Sequence, residues 1–284
     1  MINSEKIGIG IVTYNRPHLL KKLLDSIQRN DIELIVVNDG EKFEFPGYNY
    51  YIHNNETNLG VGKSKNKALR YLLSKECEHI FLIEDDIFIK NPLVFEKYIE
   101  ASKISGIQHF NYSQHGIMNK KFYEDNSPNP RFIINYGPKK HGSFDHFMGN
   151  DEINISLYPH CVGAFSYYSK KCLENVGLID ERYYNVWEHV DHTYEIIKAG
   201  MHPPFWFFAD IDRSWEYLGD EPWDIKKSTI SSNPNHQQMM KDADKIFIEK
   251  HGCPPTQIPI NENLVGSKLK EIRKKYGRSD NSYM

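Results

Sequence analysis

Three consecutive acids, Glu84, Asp85 and Asp86, close a short apolar run at residues 80–83. Carboxylates crowded at one strand end repel one another unless a cation lies between them. Mg2+ and Mn2+ suit such a place, because they take few protein carboxylates and leave room for phosphate oxygens. On an extended backbone alternate side chains share a face, so Glu84 and Asp86 are expected together with Asp85 turned away. The plainer reading is an acidic cap for the helix that Asn91-Pro92 opens, or a solvated turn.

Further polar clusters accompany the triplet. In IVTYNRP, residues 11–17, Thr13, Asn15 and Arg16 offer a hydroxyl, an amide and a guanidinium beside a helix start, which is a natural anion site. The same residues also suit an ordinary capped helix. Asp39 in VVNDG could accept from a ribose hydroxyl or a base N–H, or only shape a turn. In NETNLGVGKSKNKAL, residues 55–69, Gly60 and Gly62 permit close backbone approach, and Lys63 and Lys65 bring charge near it. The spacing is not that of a P-loop. Later in the chain Glu188, His189 and Asp191 place three titratable residues close together. Acids at that place could equally favour the positive end of a helix, with Trp187 in the core.

The elements that would carry these groups alternate in type. Residues 7–13 read as a buried strand, Pro17 opens a helix, and residues 34–37, 48–53 and 80–83 read as further strands. Helices fill the gaps, one at residues 64–74 and one opened by Asn91-Pro92. This order predicts an α/β fold, a mostly parallel sheet flanked by helices. Ligands then bind at the carboxyl ends of the strands, where every polar cluster of the first hundred residues falls. Residues 111–160 are rich in Pro, Gly, Asn and His, and His141, His146 and His160 there are candidate substrate contacts. Beyond them we expect strands at 162–168 and 205–208 and helices at 170–175, 188–198, 236–250 and 264–276. Residues 1–220 would form the main domain, divided into a first half, 1–110, and a second, 111–220. Residues 221–284 would form a C-terminal helical extension.

Bulk properties remove several alternatives. A net charge of −3 supplies no global basic field, so nucleic acid is not an expected partner. The four cysteines lack CxxC or zinc-like spacing and suit reduced thiols in a cytoplasmic protein. No run approaches the ~18 apolar residues that span a bilayer, so membrane contact would be peripheral. The basic stretch with Lys268, Lys270, Arg273, Lys274, Lys275 and Arg278 is either a solvated helix face or such a contact with anionic lipid.

The order YNRP, VVNDG, N-x-G-x-x-x-S-K-N and EDD resembles the nucleotide-sugar-binding half of family 2 glycosyltransferases and their GT-A relatives. The resemblance implies a GT-A fold, with Thr13, Tyr14 and Arg16 beside the nucleotide and Asp39 on its base or ribose. Asn58 opens the third motif, Lys65 stands where the family more often has Arg, and Asn66 matches its Asn. The triplet takes the place of the family's Asp-x-Asp motif, with Asp86 as metal ligand, Glu84 toward the ribose or a metal-bound water, and Asp85 among the donor-facing residues. Residues 163–200 resemble the acceptor-side segment. The family's catalytic base is the Asp of a Glu-Asp pair, and here that column holds His189. His189 and Glu188 are therefore both candidate bases, with Asp191 to orient His189 or meet the acceptor. Asp210 stands where relatives commonly have a histidine ligand, and Asp212 competes with it. By resemblance the chain would be an inverting transferase using Mn2+ or Mg2+. Its donor would be a nucleotide-sugar, a UDP-sugar by preference, and its acceptor a glycan or lipid-linked hydroxyl in bacterial surface polysaccharide synthesis. The competing readings are a sugar nucleotidyltransferase, whose Gly-rich phosphate loop is missing here, and a non-catalytic carbohydrate-binding protein.

Overall fold

The alternation IGIGI in strand β1 (Ile7–Thr13) sorts its two faces. Ile7, Ile9 and Ile11 enter one apolar core, while Gly8 and Gly10 admit helix α2 (Val61–Ser74) on the other face. A Cβ on Gly10 would lie 2.7 Å from that of Ala68, so α2 could not pack this closely over a larger residue. The computed structural model describes residues 5–43, 45–113, 155–158, 161, 163–205, 208–211, 213–220, 230, 232–259 and 261–278.

β1 lies between β2 (Ile32–Asn38) and β4 (His79–Glu84), parallel to both, and β3 (Tyr51–Asn54) adds in parallel to β2. β8 (Phe165–Ser169) then pairs antiparallel with β4, and β6 (His109–Asn111) antiparallel with β8. The order is β3-β2-β1-β4-β8-β6, a mostly parallel sheet as the alternating pattern predicts. Helices α1 (Pro17–Ser26) and α3 (Val94–Ser105) cover one face through Leu20, Leu23, Leu24, Val94, Phe95 and Tyr98. α2 and α4 (Lys170–Val176) cover the other through Ala68, Leu69, Leu72, Cys172 and Leu173. Truncating one of these fully buried leucines to alanine would cost about 2–5 kcal/mol.

Helix α5 (Glu188–Lys198) follows the turn after α4. Its Val190 packs in a third cluster with Ala243 and Phe247 of α6 (His236–His251). The last helix, α7 (Val265–Tyr276), sends Val265, Leu269 and Ile272 into the same core as β1. The helical extension is thus built into the cores of the main domain. No helix among the described residues is long and apolar enough to cross a membrane.

Two expected strands shift. β3 begins at Tyr51, because only four residues pair with β2; Tyr48 and Tyr50 instead pack their rings at the edge of the core. The strand expected at 205–208 is β9 (Phe208–Ile211), paired with β7 (Ile155–Tyr158). Its buried acid, Asp210, broke the apolar pattern that marks a strand. The three-residue strands β5 (Ile87–Ile89) and β10 (Leu218–Asp220), which pair with each other, are too short to show a period.

Candidate active site

Register brings the polar strand ends into one row. Thr13 pairs with Asn38, Asn38 with Asn54, and Val12 with Glu84. Asp39, one step past β2, is 6% exposed. Its Oδ1 accepts from Asn55 Nδ2 at 2.7 Å and Leu59 N at 2.8 Å, and its Oδ2 from Gly60 N at 2.8 Å. The carboxylate therefore shapes the loop 55–60. Gly60 has φ +84, a conformation that favours glycine. It also lies beneath Tyr184, where a Cβ would come within 2.5 Å of the ring. The Tyr184 hydroxyl donates to Asn58 Oδ1 at 2.8 Å, and its carbonyl accepts from Val61 N at 2.8 Å. Asn58 thereby ties the first half of the chain to the second. Tyr14 and Tyr184 both leave the surface open, at 37% and 41% exposure.

The triplet departs from the expected alternation. β4 ends at Glu84, and Asp85-Asp86 lie in a turn, so the two-residue period no longer holds. Asp85 turns inward, 1% exposed, and accepts from Thr13 Oγ1 at 2.6 Å. The Arg16 guanidinium ion-pairs with Asp85 and reaches Asp86 Oδ2 at 3.4 Å. Burial pushes the Asp85 carboxyl up to about 7; Arg16 opposes this, and the neighbouring Asp86 adds to it. Glu84 goes the other way, to Lys65 Nζ at 2.9 Å. The pairing of Glu84 with Asp86 is thus replaced by Asp85 with Asp86.

A divalent ion fits this end of the strand. Among the described residues, no hydrogen bond reaches the buried Asp86 Oδ1 or the buried Arg16 Nε. One carboxylate oxygen and one guanidinium N–H thus lack partners where an ion and an anionic ligand would supply them. The protein offers few carboxylates here, as suits Mg2+ or Mn2+ completed by ligand oxygens.

Lys65 does a different job from the one its motif implies. Its ammonium lies 2.9 Å from Gly163 O, 2.9 Å from Glu84 Oε1 and 3.0 Å from Glu188 Oε1. An ammonium has three N–H donors, and all three are engaged within the chain, so none is left for a ligand. Burial alone would lower the Lys65 pKa, yet Glu84 and Glu188 together raise it. Burial alone would likewise raise Glu188, yet Lys65, followed by His189, holds it well below the carboxylate range. Asn66, beside it, donates to Ile179 O at 2.7 Å and accepts from Ile179 N at 3.0 Å. Both residues stitch α2 to the segment leading into α5.

His189 is partly exposed and has an oxygen near each ring nitrogen. Nε2 is 3.3 Å from Cys161 O, and Nδ1 is 3.4 Å from Glu188 Oε1. Nδ1 is buried and makes no hydrogen bond among the described residues. Asp191 faces away from this ring, contrary to the role of orienting it. It accepts from Lys250 Nζ at 2.7 Å, His251 Nε2 at 2.7 Å and Tyr183 OH at 3.2 Å. The cause is helical geometry: positions 189 and 191 lie on different sides of α5.

Asp210 is no metal ligand in this arrangement. It is fully buried and accepts from Tyr98 OH at 2.5 Å, Ser214 Oγ at 2.7 Å, Ile211 N at 2.8 Å and Ser113 N at 3.0 Å. Those four donors occupy both oxygens, and burial pushes the carboxyl up to about 7 against their pull. Among the described residues, one trio has metal-ligand spacing: Asp191, Glu195 and His251. Lys250 Nζ already serves as its cation, 2.7 Å from Asp191 and 3.4 Å from Glu195. His141, His146, His160 and Asp212 lie outside the described residues. Tyr184, Asn55 and Lys250 were not anticipated; the tandem Tyr183-Tyr184 before Trp187-Glu188 was the available signal for the first.

The sequence model described as glycosyl transferase family 2 matches residues 9–177. A relative from Acanthamoeba polyphaga mimivirus, uncharacterized glycosyltransferase R363, is 26% identical over 272 residues, 86% of this chain and 93% of that protein. Among solved structures, the mannosyltransferase PcManGT from Pyrobaculum calidifontis, in complex with GDP-Man and Mn2+, aligns with a TM-score of 0.52 at 12% identity. The alignment covers 94% of this chain and 69% of that one. Residues 1–349 of S. aureus TarS align with a TM-score of 0.48 at 13% identity, covering 95% of this chain and 72% of that one. The architecture is the GT-A fold.

Proposed function

This chain belongs to glycosyl transferase family 2 and is a glycosyltransferase, and from that premise we propose that it transfers a sugar, with inversion, from a nucleoside-diphosphate sugar to a glycan or lipid-linked hydroxyl. The observation that carries the reading is the buried, unpartnered Asp86 Oδ1 beside Arg16 at the end of β4. A divalent ion bound by Asp86 would supply charge neutralisation to the departing diphosphate. That Pyrobaculum enzyme was solved with GDP-Man and Mn2+, which supports a metal of this kind.

This chain's own residues divide the remaining work. Arg16, whose Nε–H has no partner among the described residues, binds diphosphate oxygen. Thr13 fixes Asp85, and Asp39 holds the loop 55–60 against the nucleoside, whose base meets Tyr14. Glu188 is too strongly held by Lys65 to accept a proton readily, so it positions its neighbour. His189, partly exposed between Glu188 and Cys161 O, takes the acceptor proton as general base. Attack on the face opposite the leaving group inverts the anomeric carbon.

Calorimetric titration with Mn2+ and parallel UDP-sugar and GDP-sugar panels tests this. We expect metal-dependent binding, tightest with a uridine donor. Asp86→Ala should weaken it about 100-fold, close to 2.7 kcal/mol, with an unchanged melting temperature. Equal affinity in the variant, or binding indifferent to Mn2+, would refute the metal role.

A further inference from the structure

The Glu188-His189 dipeptide is gripped on both sides by one helix of the C-terminal extension. Immediately before it, Trp187 Nε1–H donates to Asp244 Oδ1 of α6 at 2.9 Å. Just after it, Asp191 accepts from Lys250 Nζ and His251 Nε2 of the same helix, each at 2.7 Å. Between these polar clamps the helices meet through Val190, Ala243 and Phe247, all buried.

The first clamp holds an unusual backbone. Trp187 has φ +65 and ψ −1, left-handed for a bulky residue, and no side-chain hydrogen bond caps α5 there. Such a conformation is unfavourable for a residue with a Cβ and persists only where surroundings enforce it. This turn sets the angle at which α5 starts, and so where Glu188 meets Lys65 and where His189 faces Cys161.

We infer that α6 positions the candidate base pair, with Asp244 and Lys250 as positioning residues acting through Trp187 and Asp191. The C-terminal extension is then part of the acceptor-side machinery. This inference rests on the transferase reading above for its catalytic consequence, but its structural half can be measured independently.

The experiment uses the full chain with 15N-labelled histidine. Asp244→Ala should displace the His189 ring resonances and raise amide exchange across residues 188–192 at least tenfold. Asp244→Asn, which still accepts from the indole, should restore both. Lys250→Met should act in the same sense from the other clamp. In donor hydrolysis with Mn2+, Asp244→Ala should lower kcat at least tenfold and leave nucleotide affinity within twofold. A merely structural role would raise amide exchange in step with lost stability, leaving the folded chain's His189 resonances and the kcat-against-affinity split unmoved. Unchanged His189 resonances and amide exchange in both Asp244→Ala and Lys250→Met would overturn the inference. A wild-type chain that turns over no nucleotide sugar would instead overturn the transferase reading, with the resonance comparison still deciding the positioning role.

Discussion

Lys65 Nζ and Glu188 Oε1 lie 3.0 Å apart in the interior, and through this contact helix α2 of the first half holds helix α5 of the second. Glu84 completes the arrangement from the end of β4. Removing one partner of a buried pair strands the other charge, which costs about 3–5 kcal/mol. Lys65→Met should therefore lose about that much in urea unfolding. Adding Glu188→Gln should recover a good part of it. A Lys65→Met chain as stable as wild type would show that the ammonium is dispensable.

Tyr184 should act on nucleotide affinity from outside the recognised donor motifs. Loss of its hydroxyl frees Asn58, and one hydrogen bond is worth about 0.5–1.5 kcal/mol, so Tyr184→Phe should weaken nucleotide binding by several-fold. Tyr184→Ala also uncovers Gly60 and should weaken it further. Calorimetry with UDP and Mn2+ reads both, and equal affinities in all three chains would exclude the role.

Asp210→Ala separates a structural acid from a metal ligand. Four donors lose their acceptor in the core, and unsatisfied buried groups cost about 1–3 kcal/mol each. The variant should unfold at markedly lower denaturant or not accumulate at all. A stable variant with weakened Mn2+ affinity would return Asp210 to the metal.

Acid sensitivity should trace to buried imidazoles. Burial lowers His192 and His202 to about 4, while the unfolded chain titrates near ~6.5. Between those values the unfolded state binds protons the folded state refuses, so this contribution is complete above the upper value and is lost as pH falls toward 4. Asp85 and Asp210, raised to about 7 by burial, run the opposite way: they favour the folded state at low pH and lose that effect as pH rises through 7. His192→Gln should thus show a larger stability deficit at pH 7 than at pH 5 in urea titrations. A deficit independent of pH would contradict a neutral buried His192.

Much of this was legible in the sequence. Continuous apolar runs marked β1, β2 and β4, and the polar residues that ended them, Thr13, Asp39 and Glu84-Asp86, fell at one edge because parallel strands share a direction. What stayed hidden was set by tertiary contact. A triplet on an extended strand splits in one way, and a triplet entering a turn in another, so Asp85 was misdirected. Lys65 reads as a donor-binding residue until Glu188, 123 residues away, is found against it. Asp191 reads as catalytic until Lys250 and His251 arrive from a segment with no motif. Asp210 reads as a ligand only by resemblance, from its place in the family's histidine column, and a buried structural acid has no signature of its own to correct that.

The place of β8 has an outcome for recombination. This strand comes from the second half yet hydrogen-bonds to β4, in line with the residues that lead to the acidic triplet. A chimera joined near residue 110 would cut β6 and exchange β8 within one continuous sheet, leaving β4 against a foreign neighbour. Remodelling the loops around α5 would leave that sheet whole, whereas exchange of halves would break it beside β4.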